Sequence, residues 1–157
     1  MRALFLILVA PFIFITGSAA ASDYKWIGQI TEDGASLMYA IPESDGVLLD
    51  FHCDRKTKLI VVNFEHEPRE AKDGMLLTVK FSVRGRDANL STDIPMKGER
   101  HELDDKFLFQ GEARMSPQLR RVLAEGGTLL ITVADRATEI PLKGVAQAAR
   151  QLLASCP

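Results

Sequence analysis

VLLDFHCDRKTKLIVVNFEH, residues 47–66, decides the fold class. Val47, Leu49, Phe51 and Cys53 fall at every second position and therefore share one face of an extended strand. Asp54-Arg55-Lys56-Thr57 is a polar turn, and Lys58 to His66 returns as a second, largely apolar strand. A period of two on both sides of a short turn is the pattern of a half-buried antiparallel hairpin, not of an amphipathic helix.

The same period extends in both directions. Toward the N-terminus, Ala35, Leu37, Tyr39 and Ile41 share a face after the turn Thr31-Glu32-Asp33-Gly34, and Tyr24, Trp26, Gly28 and Ile30 share a face before it. Pro42-Glu43-Ser44-Asp45-Gly46 supplies the next turn, because proline presets one φ and glycine admits another. Toward the C-terminus, a charged loop Glu67–Gly74 precedes a long strand, Met75–Arg84, with Leu77, Val79, Phe81 and Val83 on one side. Gly85–Ala88 turns into Asn89–Met96, where Pro95 suggests a strand end or an edge position. A polar loop Lys97–Asp105 leads to a strand Lys106–Ala113 that points Phe107 and Phe109 together.

Two helices interrupt this pattern. Ser116-Pro117 reads as an N-cap followed by the first helical residue, and Gly126 as the stop. Strands Gly127–Ala134 and Thr138–Leu142 follow. Gly144 then opens a final helix whose stripe is Val145, Ala148, Ala149, Leu152 and Leu153. About nine short strands with one internal and one C-terminal helix predict a mostly β domain, a β-sandwich or a partly closed antiparallel barrel. No repeat or second domain is visible, so residues 22–157 read as one domain.

Residues 1–21, MRALFLILVAPFIFITGSAAA, stand apart from it. Arg2, an apolar run Ala3–Ile15 and a small-residue site ending at Ala21 have the build of a cleaved secretory signal peptide, cut between Ala21 and Ser22. The alternative is an uncleaved anchor. The run is about 13 residues, short of the roughly 20 that a spanning helix needs, and Pro11 interrupts it. Loss of Arg2 takes the formal net charge from −2 to −3, which gives no support to nucleic-acid binding. The expected location is the periplasm or the exterior of a bacterium, with a mature domain that does not span the membrane.

Cys53 and Cys156 are the only cysteines. An even count in an exported chain favours a disulfide over two free buried thiols. The loop it closes, about a hundred residues, corresponds to roughly 4–5 kcal/mol in the chain-entropy account. Such a bond would staple the last helix onto the end of a central strand.

Val47-Leu48-Leu49-Asp50-Phe51-His52-Cys53 and the ending Ile140-Pro141-Leu142-Lys143-Gly144 … Leu152-Leu153-Ala154-Ser155-Cys156 resemble a group of small exported bacterial proteins. The ending is also similar to invasion-associated locus B proteins, although this chain lacks their additional cysteines. The resemblance implies a periplasmic, β-rich protein. It carries over no catalytic or binding residue.

The residues offer little chemistry of their own. No Gly-x-Ser-x-Gly elbow is present. The pairs Glu65 with Glu67 and Asp104 with Asp105 border polar loops, where solvation keeps carboxylates ordinary. His52, His66 and His101 lie far apart, and His66 with Glu65 and Glu67 is the one local cluster. Neither a metal site nor a cofactor site is expected. If the third to sixth strands form a meander, Arg55, Lys56, Lys58, Arg84 and Arg86 gather at one end as a candidate anion-binding surface. Glu43, Asp45, Glu65, Glu67, Glu70 and Asp73 gather at the other. The resulting expectation is a non-enzymatic exported binding or accessory domain whose partner is an envelope component or another exported protein. An inhibitor of a cell-wall-degrading enzyme, a hydrolase whose residues converge only in three dimensions, and a structural accessory of an envelope machine are the alternatives.

Overall fold

A computed structural model describes residues 23–84, 90–134 and 136–157. The expected signal peptide, residues 1–21, the expected cleavage point at Ser22, and Arg86 lie outside the described residues. Nine strands alternate with few helices: β1 (Lys25–Ile30), β2 (Gly34–Ala40), β3 (Val47–Asp54), β4 (Leu59–Glu65), β5 (Met75–Arg84), β6 (Ser91–Arg100), β7 (Phe107–Arg114), α1 (Pro117–Ala124), β8 (Thr128–Val133) and β9 (Arg136–Pro141), then α2 (Val145–Ala148) and α3 (Arg150–Ser155). All nine strands form one curled antiparallel sheet in the order β1-β2-β3-β4-β7-β6-β5-β8-β9. Of the two architectures expected, the chain takes the partly closed barrel. Between the edge strands, Trp26 Nε1 donates to Pro141 O at 2.8 Å and ties β1 to the end of β9.

The meander expected from β3 to β6 breaks after β4. β4 pairs with β7, with Phe64 opposite Phe109, and β5 pairs with β6 and β8. The connection from Glu65 to Met75 is too long for the two-residue turn that holds a tight hairpin. Its release lets β7 lay Phe107 and Phe109 beside the aromatic end of β4, with Phe109 buried against the same core as Phe64. β6 also runs on to Arg100, past Pro95, so the polar loop beyond it is shorter than the sequence suggested. Pro95 faces β5 at Thr78, while the ladder to β7 begins only at Met96. Proline, which cannot donate to a ladder, thus sits where its strand is paired on one side.

The inward-facing residues make one core. Leu37, Leu49, Phe51, Ile60, Val62, Phe64, Phe81, Phe109 and Ile131 are fully buried in it. α1 adds Leu119, Val122 and Leu123, and its N-terminus is capped by Ser116 Oγ, which accepts from Leu119 N at 3.0 Å. The C-terminal helix is two short pieces that meet at Ala149 and pack against β1, β2 and β3. Gly28 permits this approach, since a Cβ there would fall 1.9 Å from Ala148 O. Cys53 and Cys156 are bonded, with Sγ–Sγ 2.07 Å and Cα–Cα 6.0 Å, and both are buried. The bond locks α3 to the end of β3, where Lys58 Nζ also donates to Ser155 O at 3.0 Å.

Candidate functional site

The residues that alternate with the core on β2, β3, β4 and β7 form a polar outer face. Strand register sets its rows. Ser36 stands opposite His52, and in the next row Met38, Asp50, Asn63 and Gln110 are successive cross-strand neighbours. Gln110 Nε2 donates to Asn63 Oδ1 at 3.0 Å, which turns the Asn63 amide nitrogen toward Asp50 Oδ2 at 3.2 Å. The other carboxylate oxygen, Asp50 Oδ1, is buried and has no hydrogen-bond partner among the described residues. Burial pushes the Asp50 carboxyl above its ordinary value, against the opposing pull of the Asn63 hydrogen bond and the nearby His52.

The row above is a serine–histidine–aspartate chain. His52 Nδ1 lies 2.9 Å from Ser36 Oγ and its Nε2 lies 3.3 Å from Asp33 Oδ2. Thr31 Oγ1 donates to Asp33 Oδ1 at 2.8 Å and is the main influence holding the Asp33 carboxyl below its ordinary value. With Asp33 ionised, the Nε2 proton faces the carboxylate and Nδ1 accepts from Ser36. Nucleophilic catalysis needs more than this order of groups. It needs an accessible oxygen and free backbone N–H donors around the developing oxyanion. Ser36 is only 5 % exposed and sits mid-strand, paired with Gln29 on one side and His52 on the other. Its chemistry is to position His52 beside Asp50.

A cleft of about 360 Å³ opens over the Asp50 row. Met38, Val47 and Leu108 supply its apolar surface, and the loop from β6 to β7 supplies a charged rim. There Lys106 Nζ contacts Glu65 Oε2 at 2.7 Å and Asp104 Oδ2 at 3.9 Å, and His101 Nδ1 contacts Asp104 Oδ1 at 2.9 Å. The Asp104 carboxyl is held low chiefly by His101, and the Lys106 ammonium is held high chiefly by Glu65. Arg100 fixes the rim from below. Its side chain donates to Glu67 at 2.7 and 3.3 Å and to Asp105 O at 2.7 Å, and its guanidinium lies over the Phe107 ring. Around the cleft, Asp45, Asp50, Glu65 and Asp104 place four carboxylates against the single ammonium of Lys106. The excess of carboxylates around the cleft therefore favours a positively charged group.

The residues singled out by sequence are dispersed differently. The β3–β4 turn and the end of β5 lie at the same end of the sheet, but β4, β7 and β6 stand between β3 and β5. Arg55 Nη2 donates to Gly34 O at 3.4 Å, Lys58 reaches Ser155 O, and Arg84 pairs with Glu139. Lys56 is exposed on the turn. Of the histidines, His52 and His101 border the outer face, while His66 packs against Phe64 at 5.5 Å between ring centroids. Glu65 and Glu67 beside it turn to Lys106 and Arg100. Among the described residues, no three His, Cys, Asp or Glu side chains assemble as a metal site. The acidic end was legible, since Asp45 and Glu65 belong to it. Asp50 was missed. Its signal was a carboxylate in the outward register of a strand whose inward register is apolar.

No protein-family model, curated protein or solved structure matches the chain significantly.

Proposed function

We propose that this chain is a non-enzymatic exported binding domain of the bacterial envelope, and that its outer-face cleft receives a cationic group of its partner. The unpartnered Asp50 Oδ1 carries this reading. A buried acceptor left without a donor costs about 1–3 kcal/mol, and no donor among the described residues offsets it here. An ammonium or guanidinium seated in the cleft would supply the countercharge, and also the donor once the Asp50 carboxylate turns Oδ1 toward it. The neighbouring groups support the same preference, since Asn63 already occupies the second oxygen and the rim carboxylates add negative potential.

Export has independent support. The leader-like composition of residues 1–21 and the Cys53–Cys156 bond both fit passage into an oxidising compartment. Among the described residues no helix is long and apolar enough to cross a membrane.

Calorimetric titration with n-butylammonium and, in parallel, with n-butyrate tests the cleft. The cation should give a saturable isotherm that disappears in Asp50→Asn, and the anion should give none. Equal isotherms for wild type and variant, or a preference for butyrate, would remove the proposal.

A further inference from the structure

The Asp50 cleft does not end at β3. A second depression of about 370 Å³ runs along the outer side of β1 and β2, and Met38, Asp45 and Val47 line both. The two adjoin at these shared residues, a grooved stretch of surface whose linings together span β1, β2, β3, β4 and β7. Four interstrand steps of about 4.8 Å give it a length of about 19 Å, which an extended chain of five or six residues covers at about 3.3 Å each. A single ammonium ion of a small ligand would fill only the Asp50 end.

Its chemistry alternates along that length. Half-buried Ile27, Met38, Ile41, Val47 and Leu108 offer apolar surface. Glu43 adds one further carboxylate beside Asp45 on the β1–β3 side, and among the described residues no Lys or Arg lines that second depression. Leu103, 89 % exposed, projects from the rim loop between His101 and Asp104. The loop that carries it is held by Arg100, so this apolar side chain is presented on a fixed support.

We infer that the groove binds an extended polypeptide segment of another protein, with a Lys or Arg side chain seated at Asp50 and apolar side chains two residues away on Met38 and Val47. The inference rests on the cation-binding reading of the cleft and adds the partner's class to it. The i, i+2 spacing follows from the period of an extended strand, whose alternate side chains face the same way. The acidic lining disfavours phosphate-bearing lipids and acidic glycans, and the apolar steps distinguish a peptide from a free amine.

The test uses the acetylated, amidated peptide Leu-Ser-Lys-Ser-Leu, its Ser-Ser-Lys-Ser-Ser and Leu-Ser-Glu-Ser-Leu counterparts, and n-butylammonium. Calorimetry on wild type, Asp50→Asn and Ile27→Lys is combined with amide chemical-shift mapping of the wild type. The Leu-Ser-Lys-Ser-Leu peptide should bind at least tenfold more tightly than the other two peptides and the amine. Asp50→Asn should abolish both peptide and amine binding, whereas Ile27→Lys should weaken the peptide at least fivefold and leave the amine unchanged. Shifts should reach from Asp50 through Met38 to Ile27, a readout that needs no variant to fold. If the amine binds through Asp50 but the peptide gains nothing, or its shifts stop at Asp50, the peptide inference fails and the cation site survives. If neither binds in an Asp50-dependent way, both fail. A dimer in solution whose groove amides do not respond to the peptide would assign the face to a second copy and overturn the inference.

Discussion

The inner and outer faces of β2, β3, β4 and β7 are written by alternate residues of the same four strands, yet they are stabilised in opposite ways. Inside, Leu37, Leu49, Phe51, Ile60, Val62, Phe64 and Phe109 exclude water completely, and Cys53 seals the end through its bond to Cys156. Apart from the Tyr39 hydroxyl the buried side chains there are apolar, so the face is complete without a partner. Outside, Gln110, Asn63 and Asp50 pass hydrogen bonds along one row and end on an oxygen with nothing to receive. On the binding role proposed for the cleft, a partner supplies that donor. A strand pair can therefore hold the fold with one register and a recognition surface with the other, and the mark of the second is a polar cost the chain leaves uncompensated.

Substitutions on the two faces should separate accordingly. Phe51→Ala opens a cavity in the inner face and should cost about 3–5 kcal/mol in chemical denaturation. Replacing both cysteines, Cys53→Ala with Cys156→Ala, should cost about 2–5 kcal/mol. Hydrogen exchange should then show the loss first in residues 145–156, where the bond holds α2 and α3 to the sheet.

A smaller effect belongs to His66, whose Nε2 is buried without a partner among the described residues while Nδ1 lies 3.4 Å from Thr138 Oγ1. Burial, with Arg136 adding to it, depresses its pKa below the ordinary 6.5, so the folded state takes up a proton less readily than the unfolded chain. Its stabilising contribution is then fully present above pH 6.5 and is lost as pH falls through the depressed folded value. Denaturation midpoints measured across that range should fall with acidification, and His66→Gln should flatten the profile.

Asp50→Asn should have the smallest effect on stability, and of the opposite sign to Phe51→Ala. The Asp50 carboxyl is raised above its ordinary 3.8, so its contribution to stability is present below that pH and lost as pH rises through the folded value. At neutral pH the variant removes a desolvated charge and should melt at the wild-type temperature or up to a few degrees higher. A marked loss of stability would mean that the outer face is structural after all and would erase the contrast between the two faces.

Much of the inner face was legible because a period of two needs only neighbouring residues to be read. Val47 to Cys53, Met75 to Arg84 and the Ser116-Pro117 helix start stand close to where the structure has them. Pairing between distant strands is not written locally. That β4 would bypass β5 for β7 depends on Phe64 meeting Phe109 across more than forty residues. The break of the last helix at Ala149 likewise answers to packing on β1 to β3. The candidate site was legible in charge but not in position. Asp45 and Glu65 belonged to the expected acidic end, whereas Asp50 acquires meaning only from the register that sets Met38 and Asn63 on either side of it.

The account stands most directly on the titration of that one carboxyl. Following the Asp50 side-chain carbon by NMR through acid pH, with and without n-butylammonium, reads both its burial and its missing donor. The free protein should show Asp50 titrating above an ordinary aspartate, and the cation should lower that midpoint while leaving Asp33, which does not line the cleft, where it is. An Asp50 midpoint that is ordinary in the free protein, or that does not move when the cation is added, would contradict it.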